Sequence, residues 1–260
     1  MLIFDSGVGG LSILKYIKRK LPNIYYIYIL DNECFPYGNK EKLFILKRNI
    51  KIINEVKKMY PINMVLIACN TASTTSLFAL RKKFNFPIIG ILPDIKSAEN
   101  ITKNNIIGLI ATKATINSSY IQKIIHKKSI NKTIKIIATN KLASIAEKKI
   151  RGFDIKKTEL QNIFKAWINL KVQPDTIILG CTHFLLLKTD IQKILCKSIY
   201  FIDSKKTVIS KIKKYFYKFN ISQKIKKNIF LYSKDNNELK KLLFFLEQYN
   251  FSTKKKINLN

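Results

Sequence analysis

Short, mostly apolar runs, each closed by polar or small residues and followed by a stretch of helical period, recur along the chain. Residues 2–4, 24–30, 64–68 and 86–92 make a first set, and residues 105–110, 133–138, 176–180 and 198–202 a second. Short, mostly apolar runs bounded in this way read as strands buried on both faces of a parallel sheet, with the intervening helices as crossovers. The spacing predicts helices over about residues 40–58 and 158–170, and another after Cys69 whose apolar stripe is Leu77, Leu80 and Phe84. Each set has a Ser/Thr-rich edge, a cysteine and a short last strand, which predicts two similar α/β domains, residues 1–93 and 94–205. From Lys205 the chain is Lys-rich and helical, with one more apolar stretch at 229–232, and residues 206–260 are expected to return to the first domain. The tail KKKINLN reads as a solvated, frayed end.

The two cysteines that close a strand carry the chemistry. Cys69 ends MVLIAC and opens a helix with Asn70 and Thr71; Cys181, 112 residues later, ends TIILGC and is followed by Thr182, His183 and another apolar helical start. The carboxyl edge of an open α/β sheet is where ligands bind, and a helix N-terminus there favours a thiolate. A single cysteine in such a place reads as a small core residue. Two in matched contexts point to a reaction that uses two thiols at one site. After the first strand, DSGVGG puts Asp5 and Ser6 at the same edge, and Gly7, Gly9 and Gly10 leave N–H groups open to a carboxylate or phosphate. Pro36-Tyr37-Gly38 marks a turn at the next strand end, where Tyr37 either packs or meets a ligand. Thr112, Thr115 and Ser118 crowd a helix entrance. Glu147, running straight into Lys148, reads locally as a solvated surface carboxylate.

Composition narrows the class. At 260 residues and 47% hydrophobic content the chain is globular, with no apolar run of membrane-spanning length. The first residues lack a basic segment and a cleavage site, so no secretory signal is expected. Four cysteines (34, 69, 181 and 196) without C-x-x-C spacing argue against a disulfide framework or structural zinc, and imply a cytoplasmic enzyme with free thiols. The net charge of +32 would suit a nucleic-acid partner. The lysines, however, are scattered along the whole chain beside abundant Ile and Asn, whose codons are also rich in adenine and thymine. Mutational bias accounts for that pattern without a selected surface, leaving only weak, salt-sensitive nucleic-acid binding to expect.

FDSGVGGLS (4–12), FPYG (35–38), ACNTAS (68–73), IGLIATKATINSSY (107–120), LASIAEKK (142–149) and GCTHF (180–184) stand in an order that closely resembles the glutamate racemases of the aspartate/glutamate racemase superfamily. The resemblance covers about residues 1–204. It implies an α/β fold of two pseudo-symmetric, open parallel-sheet (Rossmann-like) domains with the active site in the cleft between them. It also implies racemisation of L-glutamate to D-glutamate for peptidoglycan without a cofactor or metal, in a homodimer. By motif, Cys69 and Cys181 are the two acid/bases, assisted by Asp5, Glu147 and His183. Asp5, Ser6, Tyr37, Gly38, Asn70, Thr71, Thr182 and His183 hold substrate. The resemblance assigns Cys181 to the α-proton of L-glutamate and Cys69 to that of D-glutamate.

That assignment agrees with elementary chemistry. Racemisation removes a proton from one face of a carbon and returns one to the other, which needs two opposed groups able to act as acid or base. A thiol of pKa about 8.5 serves either way once tuned. The chain departs from the family pattern at Glu33 and Cys34 before FPYG, at Phe184 for the usual Tyr, and at Leu185 for the usual Pro. Cys34 and Cys196 match no catalytic motif and are expected to be structural, and His126 to sit at a surface or helix end. Two other readings stay open: an aspartate racemase with the same chemistry, and a basic nucleic-acid-binding protein on a decayed racemase scaffold.

Overall fold

The computed structural model describes residues 1–126, 131–195, 198–219 and 228–259. A first sheet of six strands is built on β1 (Leu2–Asp5), which pairs in parallel with β2 (Ile27–Leu30) on one side and β3 (Val65–Ile67) on the other. β4 (Ile88–Gly90) lies beyond β3. A second sheet of four parallel strands places β5 (Ile106–Ala111) between β6 (Thr133–Ala138) and β7 (Thr176–Gly180), with β8 (Tyr200–Ile202) outside β7. Taken in chain order, the first four strands of each set lie as second, first, third, fourth. The strand order therefore reverses between the first and third strands in both halves, the crevice where open α/β sheets bind ligands. Asp5 and Cys69 flank that crevice in the first sheet; Ala111 and Cys181 flank it in the second.

The central apolar runs behave as buried strands should, whereas β6 and β8, at the two edges of the second sheet, are mostly exposed or half-buried rather than covered on both faces. Leu2 and Phe4 pack into one core and Ile3 into the core on the opposite face of the sheet. In the second sheet Ile177 and Leu179 face one core while Ile178 faces the other. Helix α1 (Gly9–Lys20) buries Leu11, Ile13, Leu14 and Ile17, and α3 (Asn70–Lys83) buries Leu77 and Leu80. Both carry three basic residues in the last turn, where the helix dipole favours cations. Helix α2 (Lys42–Met59) joins β2 to β3. Helix α4 (Ile95–Ile101) leads to the second sheet. Helices α5 (Lys113–Ile116), α6 (Ser119–Ile125), α7 (Lys141–Ile150) and α8 (Lys157–Ile168) complete its crossovers. Thr112 and Ser118 cap α5 and α6 with their hydroxyls, so the Ser/Thr-rich edge is in part a pair of helix starts.

Two segments depart from the sequence expectation. After Cys181 the chain forms a 3-10 turn (Thr182–Leu187) before α9 (Lys188–Leu195), rather than entering an α-helix directly. The tail is not frayed. After α10 (Lys205–Phe219), β9 (Ile229–Tyr232) pairs with β2, α11 (Asn237–Leu246) follows, and β10 (Thr253–Lys256) pairs with β9 at the sheet edge. The lysines of β10 are solvated, but Ile257 and Leu259 are buried, and the Leu259 carbonyl accepts a hydrogen bond of 2.6 Å from Arg48. His126 caps the end of α6 and is exposed, Cys34 is buried, and Cys196 lies outside the described residues.

Candidate active site

Asp5 is the last residue of β1 and has no exposed surface. The Ser6 N–H donates to its Oδ1 at 2.7 Å and the Gly10 N–H to its Oδ2 at 2.6 Å, so the glycine loop folds back over the carboxylate. Thr182 of the second half donates to the same Oδ2 at 3.0 Å. Burial pushes the Asp5 carboxyl up to about 6, with nearby His183 and these donors pulling the other way. Cys69 sits at the end of β3 as the residue before α3. Burial first, and the Asp5 carboxylate second, hold its thiol well above the ordinary cysteine range.

Cys181 occupies the matching place after β7, and the two thiols are close enough for a charge on one to be felt at the other. Their residues are 7% and 8% exposed, so solvent reaches each only at a margin. His183 Nδ1 lies 3.7 Å from Cys181 Sγ, and Nε2 lies 2.7 Å from Glu147 Oε1. Gly9 N–H approaches the same Nε2 at 3.4 Å, a contact that gives way when Nε2 carries a proton toward Glu147. Burial alone would lower the His183 pKa, but Cys181 and Glu147 outweigh it and raise it well above the usual histidine value. Burial alone would raise Glu147; His183, Arg151 and the Val8 N–H at 2.7 Å outweigh it and hold the carboxyl below its ordinary range. Glu147 is thus buried inside the cleft, not solvated as its local sequence suggests. The glycines are needed here: a Cβ on Gly7 would stand 2.3 Å from Glu147 Oε1, and one on Gly9 2.5 Å from the His183 backbone nitrogen.

Around the thiols, Ser6, Asn70, Thr71 and Thr182 are all buried. The Thr71 hydroxyl meets Thr112 Oγ1 at 2.9 Å and Thr115 Oγ1 at 3.2 Å, tying α3 to the second sheet's edge. The Asn70 Nδ2 is buried without a hydrogen-bond partner among the described residues. A donor so placed is costly unless something else accepts from it. Tyr37 is brought to the cleft wall, but its hydroxyl is spent on Asp31 Oδ2 at 2.6 Å. Gly38 lies against Thr112 and accepts from Asn140 Nδ2 at 3.3 Å. Asp31, Glu33 and Cys34 bring ligand-type atoms within 4.8 Å of one another, yet both carboxylates already hold Arg48.

The family model described as Asp/Glu/Hydantoin racemase matches residues 12–212. A glutamate racemase from Buchnera aphidicola subsp. Acyrthosiphon pisum (strain APS) is 68% identical, with the whole of both chains covered. The chain belongs to this racemase family. A glutamate racemase from Photorhabdus laumondii is 46% identical over 78% of this chain and 71% of its own. Among solved structures, Escherichia coli glutamate racemase in complex with L-glutamate and the activator UDP-MurNAc-Ala superposes with a TM-score of 0.94 at 37% identity, covering 99% of this chain and 97% of that one. The RacE1 isoform of Bacillus anthracis glutamate racemase gives a TM-score of 0.82 at 28% identity, covering 97% and 95%. The fold is therefore the two-sheet α/β architecture of these racemases. Arg151, Asp31 and Arg48 were not foreseen as neighbours of the site; Asp31 and Arg48 meet only across different elements. For Arg151 a signal existed, a cation four residues after Glu147 on one helix face.

Proposed function

We infer that the chain interconverts L- and D-glutamate, supplying the D-enantiomer for peptidoglycan, by proton transfer between two thiols on opposite faces of the α-carbon. The observation that carries this reading is the matched placement of Cys69 and Cys181 after the third strand of each half, both nearly buried and electrostatically in touch. One thiolate removes the α-proton and the other thiol delivers one to the opposite face; the roles exchange with direction. In the cofactor-independent reaction that the family resemblance implies, the negative charge gathering at the α-carboxylate is met by fixed donors. Ser6, Asn70 and Thr71 supply them together with backbone N–H groups beside Thr182, whose own hydroxyl is given to Asp5, and the unpartnered Asn70 Nδ2 supports a carboxylate acceptor there. Asp5 assists Cys69, while His183 and Glu147 assist Cys181. Tyr37 shapes the wall without lending its hydroxyl, and Gly38 lends backbone.

The walls of the cleft are residues 1–93 with 206–260 and residues 94–205. The protein acts as a homodimer in the cytoplasm, a compartment supported by the free thiols of Cys34, Cys69 and Cys181. No helix among the described residues is long and apolar enough to cross a membrane. The test is formation of D-glutamate from L-glutamate with aspartate as control substrate. Cys69→Ala and Cys181→Ala should each abolish racemisation in a folded protein, and substantial turnover by either would remove the two-thiol reading.

A further inference from the structure

Arg151 follows α7 directly and stands four residues beyond Glu147, with a side chain 9% exposed. Its Nη1 donates to the Glu147 carbonyl at 2.8 Å and to Glu147 Oε2. Its Nε donates to the Glu238 carbonyl at 3.1 Å and lies 3.0 Å from Glu238 Oε2. Glu238 is in the first turn of α11, on the C-terminal segment that completes the first sheet. The guanidinium thus spans from the helix that carries Glu147 to the other half of the molecule. The two oxygens of Glu147 are divided between partners: Oε2 belongs to Arg151, and Oε1 accepts from Val8 N–H and faces His183.

We propose that Arg151 is a positioning residue for the Cys181 half of the reaction: clamped by Glu238, it fixes Glu147 Oε2 so that Oε1 holds the His183 imidazole against Cys181. The proposal rests on the reading above that Glu147 and His183 assist Cys181. Its geometry leaves little tolerance, because the His183–Cys181 contact of 3.7 Å is already near the limit of a sulfur hydrogen bond, and a small turn of the ring loses it. A planar fork is suited to the task, since it meets Glu147 and Glu238 along two separate N–H directions, which an ammonium on a flexible stem does less well. Among the described residues, Asp5 stands beside His183, Tyr28 beside Glu147, and Lys148 lines the same cavity as Glu147, Arg151 and Glu238. Cys69 takes its charged partner from Asp5, whose own donors are Ser6, Gly10 and Thr182. Loss of Arg151 therefore falls on one thiol.

Racemisation cannot read that asymmetry, because enantiomers are equal in energy and the two values of kcat/KM are tied. Elimination can. With an enantiomer of 3-chloroglutamate, one thiolate takes the α-proton, the C–H electron pair becomes the carbon–carbon double bond, and chloride departs with the C–Cl pair. The enamine tautomerises and hydrolyses to 2-oxoglutarate and ammonium. Arg151→Gln should lower elimination from the L-configured substrate about tenfold, as sub-ångström misplacement of a catalytic group does, and leave the D-configured substrate within about twofold. Arg151→Lys should fall between. Equal losses on both substrates, or no loss on either, overturn the proposal. Should Arg151→Gln fail to fold, Glu238→Gln, at a carboxylate 56% exposed, is the second variant; it should show an asymmetry of the same sign and about threefold size, and its absence counts against the clamp. Cys181→Ser in the same assay separates the two levels: if it keeps elimination from the L-configured substrate, the assignment of Cys181 fails, and the proposal with it.

Discussion

Gly9→Ala tests how closely the two halves must approach for the reaction to run. The added Cβ would stand 2.5 Å from the His183 backbone nitrogen, 2.5 Å from Thr182 Oγ1 and 2.7 Å from His183 Nδ1. A rotamer change of Thr182 or His183 clears only the side-chain contacts. The backbone nitrogen sits just past β7, so restoring a contact of about 3.4 Å needs a shift of roughly 0.9 Å between α1 and the 182–187 turn. That movement takes Thr182 beyond hydrogen-bond reach of Asp5, now 3.0 Å away, and pulls the Val8 N–H from Glu147. An opening near 1 Å is worth about 100-fold in rate. Stability should change much less: overpacking costs about 1–3 kcal/mol, and replacing Gly at a helical position returns up to about 1 kcal/mol. The assay is kcat/KM for D-glutamate formation beside the thermal unfolding midpoint. A variant within about threefold of wild-type kcat/KM would refute the reasoning, since the close approach would then not define the reacting geometry.

Three further outcomes follow from the same contacts. Arg48→Met strands the fully buried Asp31 and removes the donor to the Leu259 carbonyl; it should cost about 3 kcal/mol in urea unfolding, and Leu259→Ala about 2 kcal/mol. Asp5, lifted from 3.8 to about 6, binds a proton in the folded state that the unfolded chain has released. Its stability contribution is whole below about pH 4 and is lost as pH rises through about 6, so the unfolding free energy of wild type minus Asp5→Asn should fall by up to roughly 3 kcal/mol from pH 4 to 7; a flat difference would show that Asp5 titrates normally. DNA binding driven by the +32 charge should be weak and collapse as salt rises while racemisation persists; tight sequence-specific binding at physiological salt would revive the nucleic-acid reading.

The strands at the centre of each sheet were legible because burial on both faces leaves an unbroken apolar run, as in residues 64–68 and 176–180. The cysteines were legible because those runs end at them. Glu147 was not readable from its immediate neighbours, since Lys148 and Lys149 follow it. Its helical spacing holds the missing signal: Ala143 and Glu147 are four apart on α7, and with Leu142 and Ala146 they share the buried face. The tail was hidden for a different reason. β10 pairs through its backbone, and its exposed lysines carry no trace of that pairing; only the alternation of Ile257 and Leu259 marks which side turns inward. The Asp31–Arg48 pair, 17 residues apart on different elements, has no local pattern at all.

The likeness of the two halves stops at the strand that precedes each thiol's neighbour. Both sheets set their cysteine after the third strand, beside the end of the first. In the first half that end is Asp5, which faces Cys69 directly. In the second half the corresponding end, paired with Gly180, is Ala111, which has nothing to titrate. The carboxylate for Cys181 comes instead from Glu147 on α7, and it acts through His183. One thiol therefore has a carboxylate beside it, and the other an imidazole whose pKa Cys181 and Glu147 together raise well above the usual histidine value. The two thiols thus meet different neighbours, and the site is not symmetric between its two faces. Thr182, bonded to Asp5 and next to His183 in the chain, is where the two sides join.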